Sequence, residues 1–173
     1  VAAANHTDAE KGAGDHVLYS DDGGRTWQQG ADDTPGGSDH PDENTVAELA
    51  DGTLVFISRN QNEGATWHRL RATSTDGGET FATPYAPIED LAVPVVQGST
   101  LFVERTDAPG RGTLYFSAPA DQSERKDLTI RASQNGGKTW SVGTKVVSGP
   151  SSYSDLIELP GNRIGDLYEV GTA

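Results

Sequence analysis

Ser20-Asp21-Asp22-Gly23-Gly24-Arg25-Thr26-Trp27 returns as Ser74-Thr75-Asp76-Gly77-Gly78-Glu79-Thr80-Phe81 and again as Ser133-Gln134-Asn135-Gly136-Gly137-Lys138-Thr139-Trp140. All three copies read Ser-x-Asp/Asn-x-Gly-x-Thr-Trp/Phe, and an internal repeat of this kind decides an architecture before any local propensity does. The closing aromatics lie 54 and 59 residues apart, which leaves room for about four short strands per repeat, the spacing of propeller blades. Each box has a mechanical reading. Glycine permits positive φ at the bend, Asp or Asn ties its side chain to nearby backbone N–H groups, Thr closes the turn, and the aromatic plugs the blade edge. The acids of the boxes are therefore expected to be structural staples at the rim, away from any chemistry. A near copy, Asn62-Glu63-Gly64-Ala65-Thr66-Trp67, stands only 14 residues before Phe81, too close for another blade, and reads as a loop.

Strand signals fill the intervals. The first box is fed by a strand at 16–20, and a polar Pro/Gly-rich loop is expected over 31–42. Strands at 45–49 and 53–59 flank Asp51-Gly52, a strong hairpin signal, and strands at 68–74 and 83–88 complete a blade. The next blade follows from 95–104, 113–118, 128–133 and 141–148, and a hairpin of 153–159 with 163–170 ends the chain. The expected fold is thus all-β: a half blade at 1–34, blades at 43–88 and 93–148, and a half blade at 151–173, about three blades' worth of four-stranded antiparallel sheets. Because a closed propeller takes roughly four blades or more, this is an open arc with uncovered sheet faces that calls for a partner.

Composition bounds the function. The 173 residues carry 13 Lys+Arg against 26 Asp+Glu, a net charge of −13, and this field opposes nucleic acid and anionic membrane. With no cysteine there is no disulfide, thiolate metal site or cysteine nucleophile. No apolar run is long enough to span a bilayer. His6, His16, His40 and His68 lack metal-ligand spacing, and Gly12-Ala13-Gly14 lacks the third glycine of a dinucleotide loop, so neither a metal nor a cofactor is implied. Asn5-His6-Thr7 has the form of a glycosylation sequon.

Three further segments carry a resemblance. Residues 42–54 together with Ser58-Arg59, then Ser123-Glu124-Arg125 ahead of the third box, then Ser152-Tyr153-Ser154-Asp155-Leu156, in that order and interleaved with the boxes, resemble the bacterial exo-sialidases, or neuraminidases. These are six-bladed propellers with several Asp-boxes, and the match spans nearly the whole chain but only about the C-terminal half of the family's catalytic domain. The resemblance implies that Glu43 is the catalytic glutamate, Tyr153 the nucleophile, and Arg59 and Arg125 two arginines that grip the sialic acid carboxylate. Gln97, in Pro94-Val95-Val96-Gln97-Gly98-Ser99, is similar to a glutamine lining the sugar pocket.

Chemistry makes these residue types apt. A planar guanidinium meets both oxygens of a carboxylate, which lysine does poorly. A phenol approaches the substrate carboxylate uncharged, where Asp or Glu would be repelled, and it then needs a base such as Glu43. The family's first arginine and its acid/base aspartate have no counterpart here. The implied picture is an extracellular enzyme acting on sialylated glycans, needing the N-terminal half of the propeller, with residues 1–173 alone inactive or nearly so. Two alternatives stay open: a non-catalytic Asp-box propeller serving as a binding or scaffold module, and transglycosylation by the same residues.

Overall fold

The computed structural model describes residues 1–10, 12–35, 38–61 and 67–171, and residues 62–66 of the near-copy box lie outside the described residues. Thirteen strands form four separate antiparallel sheets without a helix among the described residues. The first sheet holds β1 (Ala2–Asp8), β2 (Gly12–Tyr19) and β3 (Gln28–Asp33); the second holds β4 (Pro41–Glu48), β5 (Leu54–Asn60), β6 (His68–Ser74) and β7 (Thr83–Ala92). The third is β8 (Ser99–Glu104), β9 (Gly112–Pro119), β10 (Leu128–Ser133) and the two-residue β11 (Thr144–Lys145); β12 (Ser151–Leu159) and β13 (Arg163–Val170) make the last. Within each sheet the strands follow chain order. The first strands, β1, β4, β8 and β12, neighbour one another in series and form the inner side of the arc. The chain is part of a β-propeller.

Several boundaries differ from the sequence reading. β1 is an extra strand, because Ala2–Asp8 shows no apolar alternation and is recruited by full pairing with β2. The expected loop at 31–42 shrinks, since β3 runs to Asp33 and β4 begins at Pro41. Residues 93–98 do not open β8 but form a connector, and the expected strand at 141–148 contracts to Thr144–Lys145.

Apolar residues of alternate strand positions meet between sheets, as period-two side chains require. Val17, Ala31, Leu54, Phe56, Leu70, Ala72 and Tyr85 pack between the first and second sheets. Val55, Ile57, Leu91, Leu114, Phe116 and Trp140 pack between the second and third. The seam between the third and fourth is polar instead: Ser154 Oγ donates to Ser117 O (3.0 Å), Ser117 Oγ to Asp166 Oδ2 (2.9 Å), and Ser99 Oγ accepts the Leu156 N–H (2.9 Å).

The boxes fold alike. Ser20, Ser74 and Ser133 each accept on Oγ the N–H of the glycine four residues on, and Asp22, Asp76 and Asn135 each accept the N–H of the following Thr. Hydrogen bonds from the Thr26 backbone and hydroxyl hold the Asp22 carboxyl down at about 2, so it stays ionised and committed to the turn. The second and third boxes also touch the preceding sheet. The Ala31 N–H donates to Gly78 O (2.9 Å), and Arg71 Nε donates to Gly136 O (2.9 Å). The aromatics report the same geometry: Trp140, with a second sheet before it, is 9% exposed, and Trp27 is 51% exposed.

Gly30 shows how close this contact is. A Cβ there would stand 2.1 Å from Gly78 O and 3.1 Å from the Tyr19 ring. Gly30→Ala is therefore expected to destabilise the chain by about 1–3 kcal/mol through overpacking, read as a lower urea midpoint at unchanged slope.

Candidate active site

Four of the residues singled out by sequence converge where the second, third and fourth sheets meet. Glu43 lies on β4 at a bulge, where the pairing with β5 shifts between Pro41 and Asn44. Such a bulge re-aims a side chain. Arg59 comes from the end of β5 and donates from Nη1 to Glu43 Oε2 at 2.5 Å, an ion pair largely shielded from solvent on the arginine side. Tyr153, on β12, donates its phenolic hydrogen to Glu43 Oε1. The carboxylate thus bridges a guanidinium and a phenol that are 94 residues apart in sequence.

Arg125 lies in the loop between β9 and β10 and is exposed, its Nε and Nη2 donating to Val95 O at 3.3 and 3.0 Å. It stands close enough to Tyr153 for its charge to act on the phenol. Gln97 reaches the same place with its amide already engaged: Oε1 accepts the Ser154 N–H (3.1 Å) and Nε2 donates to Gly98 O (3.0 Å). Gln97, Tyr153, Asp155, Leu167, Tyr168 and Glu169 line one open groove.

Electrostatics keep the resting phenol protonated. The hydrogen bond to Glu43 raises its pKa above the usual tyrosine value, desolvation and the Glu43 charge add to this, and Arg59 and Arg125 oppose it. A proton held between phenol and carboxylate is positioned to move to Glu43 as the oxygen forms a bond elsewhere.

Two buried groups beside the site were not signalled by sequence. Arg69 on β6 is 2% exposed and sits behind Arg59, its guanidinium 5.3 Å over the Phe116 ring. Asp15 on β2 is fully buried on the far face of the paired residues Asn44 and Ser58, the immediate neighbours of Glu43 and Arg59. Neither carboxyl oxygen of Asp15 has a well-aligned hydrogen bond among the described residues. Desolvation raises its pKa to about 7, against the weaker pull of nearby Ser58, Asn44 and Tyr85, and Asp42 adds to the rise.

That raised value fixes a sign. Between about pH 4 and pH 7 the folded chain holds a proton on Asp15 that the unfolded chain has lost, so stability falls as pH rises through this window. Asp15→Asn is expected to match wild type near pH 4 and to exceed it by roughly 2–4 kcal/mol at pH 8. Urea unfolding at the two pH values measures this, and an equal offset at both would contradict it.

The BNR repeat-like domain family matches residues 1–168. The sialidase of Micromonospora viridifaciens is 38% identical over 159 residues, covering 90% of this chain and 23% of that protein. Among solved structures, a Hadza microbial sialidase, Hz136, superimposes with a TM-score of 0.79 at 28% identity, covering 96% of this chain and 32% of that one. The intramolecular trans-sialidase of Ruminococcus gnavus, solved with oseltamivir carboxylate, superimposes with a TM-score of 0.69 at 30% identity, covering 92% and 34%. The chain spans about a quarter of the length of the bacterial sialidases it matches and about a third of these structures. Boxes, segment order, fold and relatives agree, and the chain belongs to the BNR repeat-like family as a segment of a sialidase-type propeller.

Proposed function

We propose that residues 1–173 supply the nucleophile, its base and two carboxylate-binding arginines to an exo-α-sialidase, a secreted glycosidase acting on terminal sialic acid of glycoconjugates. The observation that carries this reading is the hydrogen bond of Tyr153 to Glu43, itself paired with Arg59. In the first step Tyr153 Oη bonds to the anomeric carbon, the phenolic proton passes to Glu43, the glycosidic C–O bond breaks, and the leaving oxygen takes a proton from an acid outside these residues. In the second step water attacks the anomeric carbon and yields its proton to the conjugate base of that outside acid, the bond to Tyr153 Oη breaks, Glu43 returns its proton to the phenolate, and the two displacements retain configuration. Arg59 and Arg125 hold the substrate carboxylate throughout by charge-assisted hydrogen bonds.

The test is release of fluorophore from a fluorogenic α-sialoside by residues 1–173 alone and by the same residues joined by the N-terminal half of the propeller. Turnover is expected only from the complete propeller. Strong turnover by residues 1–173 alone, or none by the complete protein, would overturn the reading. Because one structural relative is an intramolecular trans-sialidase, the assay includes product analysis.

A further inference from the structure

The connector between β7 and β8, residues 93–98, is held on three sides by groups that belong to different sheets. Val95 O accepts from Nε and Nη2 of Arg125 at 3.3 and 3.0 Å. The carbonyl of the next residue, Val96, accepts from Nη2 of Arg69. The residue after that, Gln97, takes the Ser154 N–H at 3.1 Å, beside Tyr153 on β12. Gly98 then lies so close to the third sheet that a Cβ would stand 2.6 Å from the Phe116 ring and 2.9 Å from Ser117 O.

Arg69 is the unexpected member. It is 2% exposed, forms no ion pair with a carboxylate among the described residues, and leaves its Nε without a hydrogen bond. Burial, with the like charges of Arg59 and Arg131, lowers its pKa to about 9, while Glu43 works the other way. A guanidinium in such a place is expensive to bury, and Leu or Met would fill the same strand face. What neither could supply is a charge-assisted donor to a main-chain carbonyl, set over an aromatic face.

We propose that Arg69 is a positioning residue: through the Val96 carbonyl it sets the connector, and the connector in turn places both the Arg125 guanidinium and the β12 backbone that carries Tyr153. This rests on the reading of Arg125 and Tyr153 as substrate-facing groups. One displaced peptide would shift carboxylate grip and nucleophile together, and a misplacement of about 1 Å costs on the order of 100-fold in rate.

The test uses the complete propeller. Arg71 provides the control, since it lies on the same face of β6, two residues away, but donates to Gly136 O in the third box. Arg69→Met is expected to lower kcat/KM by about 100-fold, with Arg69→Lys recovering to within about tenfold of wild type, while Arg71→Met lowers thermal stability but leaves kcat/KM within about twofold. Hydrogen exchange at the Ser154 amide, which needs no turnover, is expected to quicken in Arg69→Met and not in Arg71→Met. If Arg69→Met does not fold, Gly98→Ala lifts the connector off Phe116 without changing any charge and should give the same losses. The proposal is overturned if Ser154 exchange is unchanged and kcat/KM stays within twofold in the folded variant, or if Arg71→Met loses as much activity. Accelerated Ser154 exchange in a protein that never cleaves sialosides would uphold the positioning role and refute the sialidase reading instead.

Discussion

Tyr153→Phe in the complete propeller is expected to lower kcat/KM for a sialoside by about 10³-fold or more, because it removes the only protein atom that bonds to the anomeric carbon in the proposed mechanism. Little else should change. The ring remains, it is already partly exposed, and Arg59 and Arg125 keep their places for the substrate carboxylate. Affinity for a carboxylated sialic acid analogue should therefore stay within a few-fold of wild type while turnover collapses. Mass spectrometry of protein treated with a fluorinated sialosyl donor supplies the direct check: wild type should gain a covalent adduct on the peptide containing Tyr153, and the Phe variant none. An adduct on another residue would remove Tyr153 from its assigned role.

Arg59→Met is expected to be nearly as damaging, for two separable reasons. It deletes one of the two forks proposed to hold the substrate carboxylate, and charge-assisted hydrogen bonds of this type are worth roughly 1.5–3 kcal/mol each, so KM should rise by at least about tenfold to 100-fold. It also strips Glu43 of its ion-pair partner and leaves that carboxylate against the Tyr153 hydroxyl alone. Hence kcat should fall as well. Arg125 is bonded to a backbone carbonyl and not to Glu43, so Arg125→Met should raise KM with a much smaller change in kcat. Steady-state kinetics of the two variants side by side test the distinction, and identical patterns would argue against it.

How far the sequence reached can be seen residue by residue. The three boxes announced the blades because their chemistry is local: Ser, Asp or Asn, and Gly satisfy one turn within eight residues, and the structure closes each of them in the same way. The hairpin at Asp51-Gly52 was readable for the same reason, with Gly52 at φ 82°. Glu43, Arg59, Arg125 and Tyr153 were readable only through their surrounding segments, and their meeting point depends on the bulge in β4 and on the β12 register, neither of which has a local signature. β1 was missed because its pairing, not its composition, makes it a strand. Val95 and Val96 look like strand residues, yet their carbonyls are turned to Arg125 and Arg69 from other sheets. Nothing in His68-Arg69-Leu70 marks the arginine as buried, since polar residues in a strand ordinarily face water, and Asp15 is hidden in the same manner.

The second and third boxes clasp the sheet before them, and the groups to which we assign the reaction are divided among β4, β5, a loop of the third sheet and β12. No blade owns the chemistry. A small rotation of one blade about its neighbour would leave every strand ladder intact while parting the phenol from its carboxylate, so catalytic competence should vanish on warming before circular dichroism registers any melting. The protein would then lose function by slippage at its seams, well below the temperature at which it unfolds.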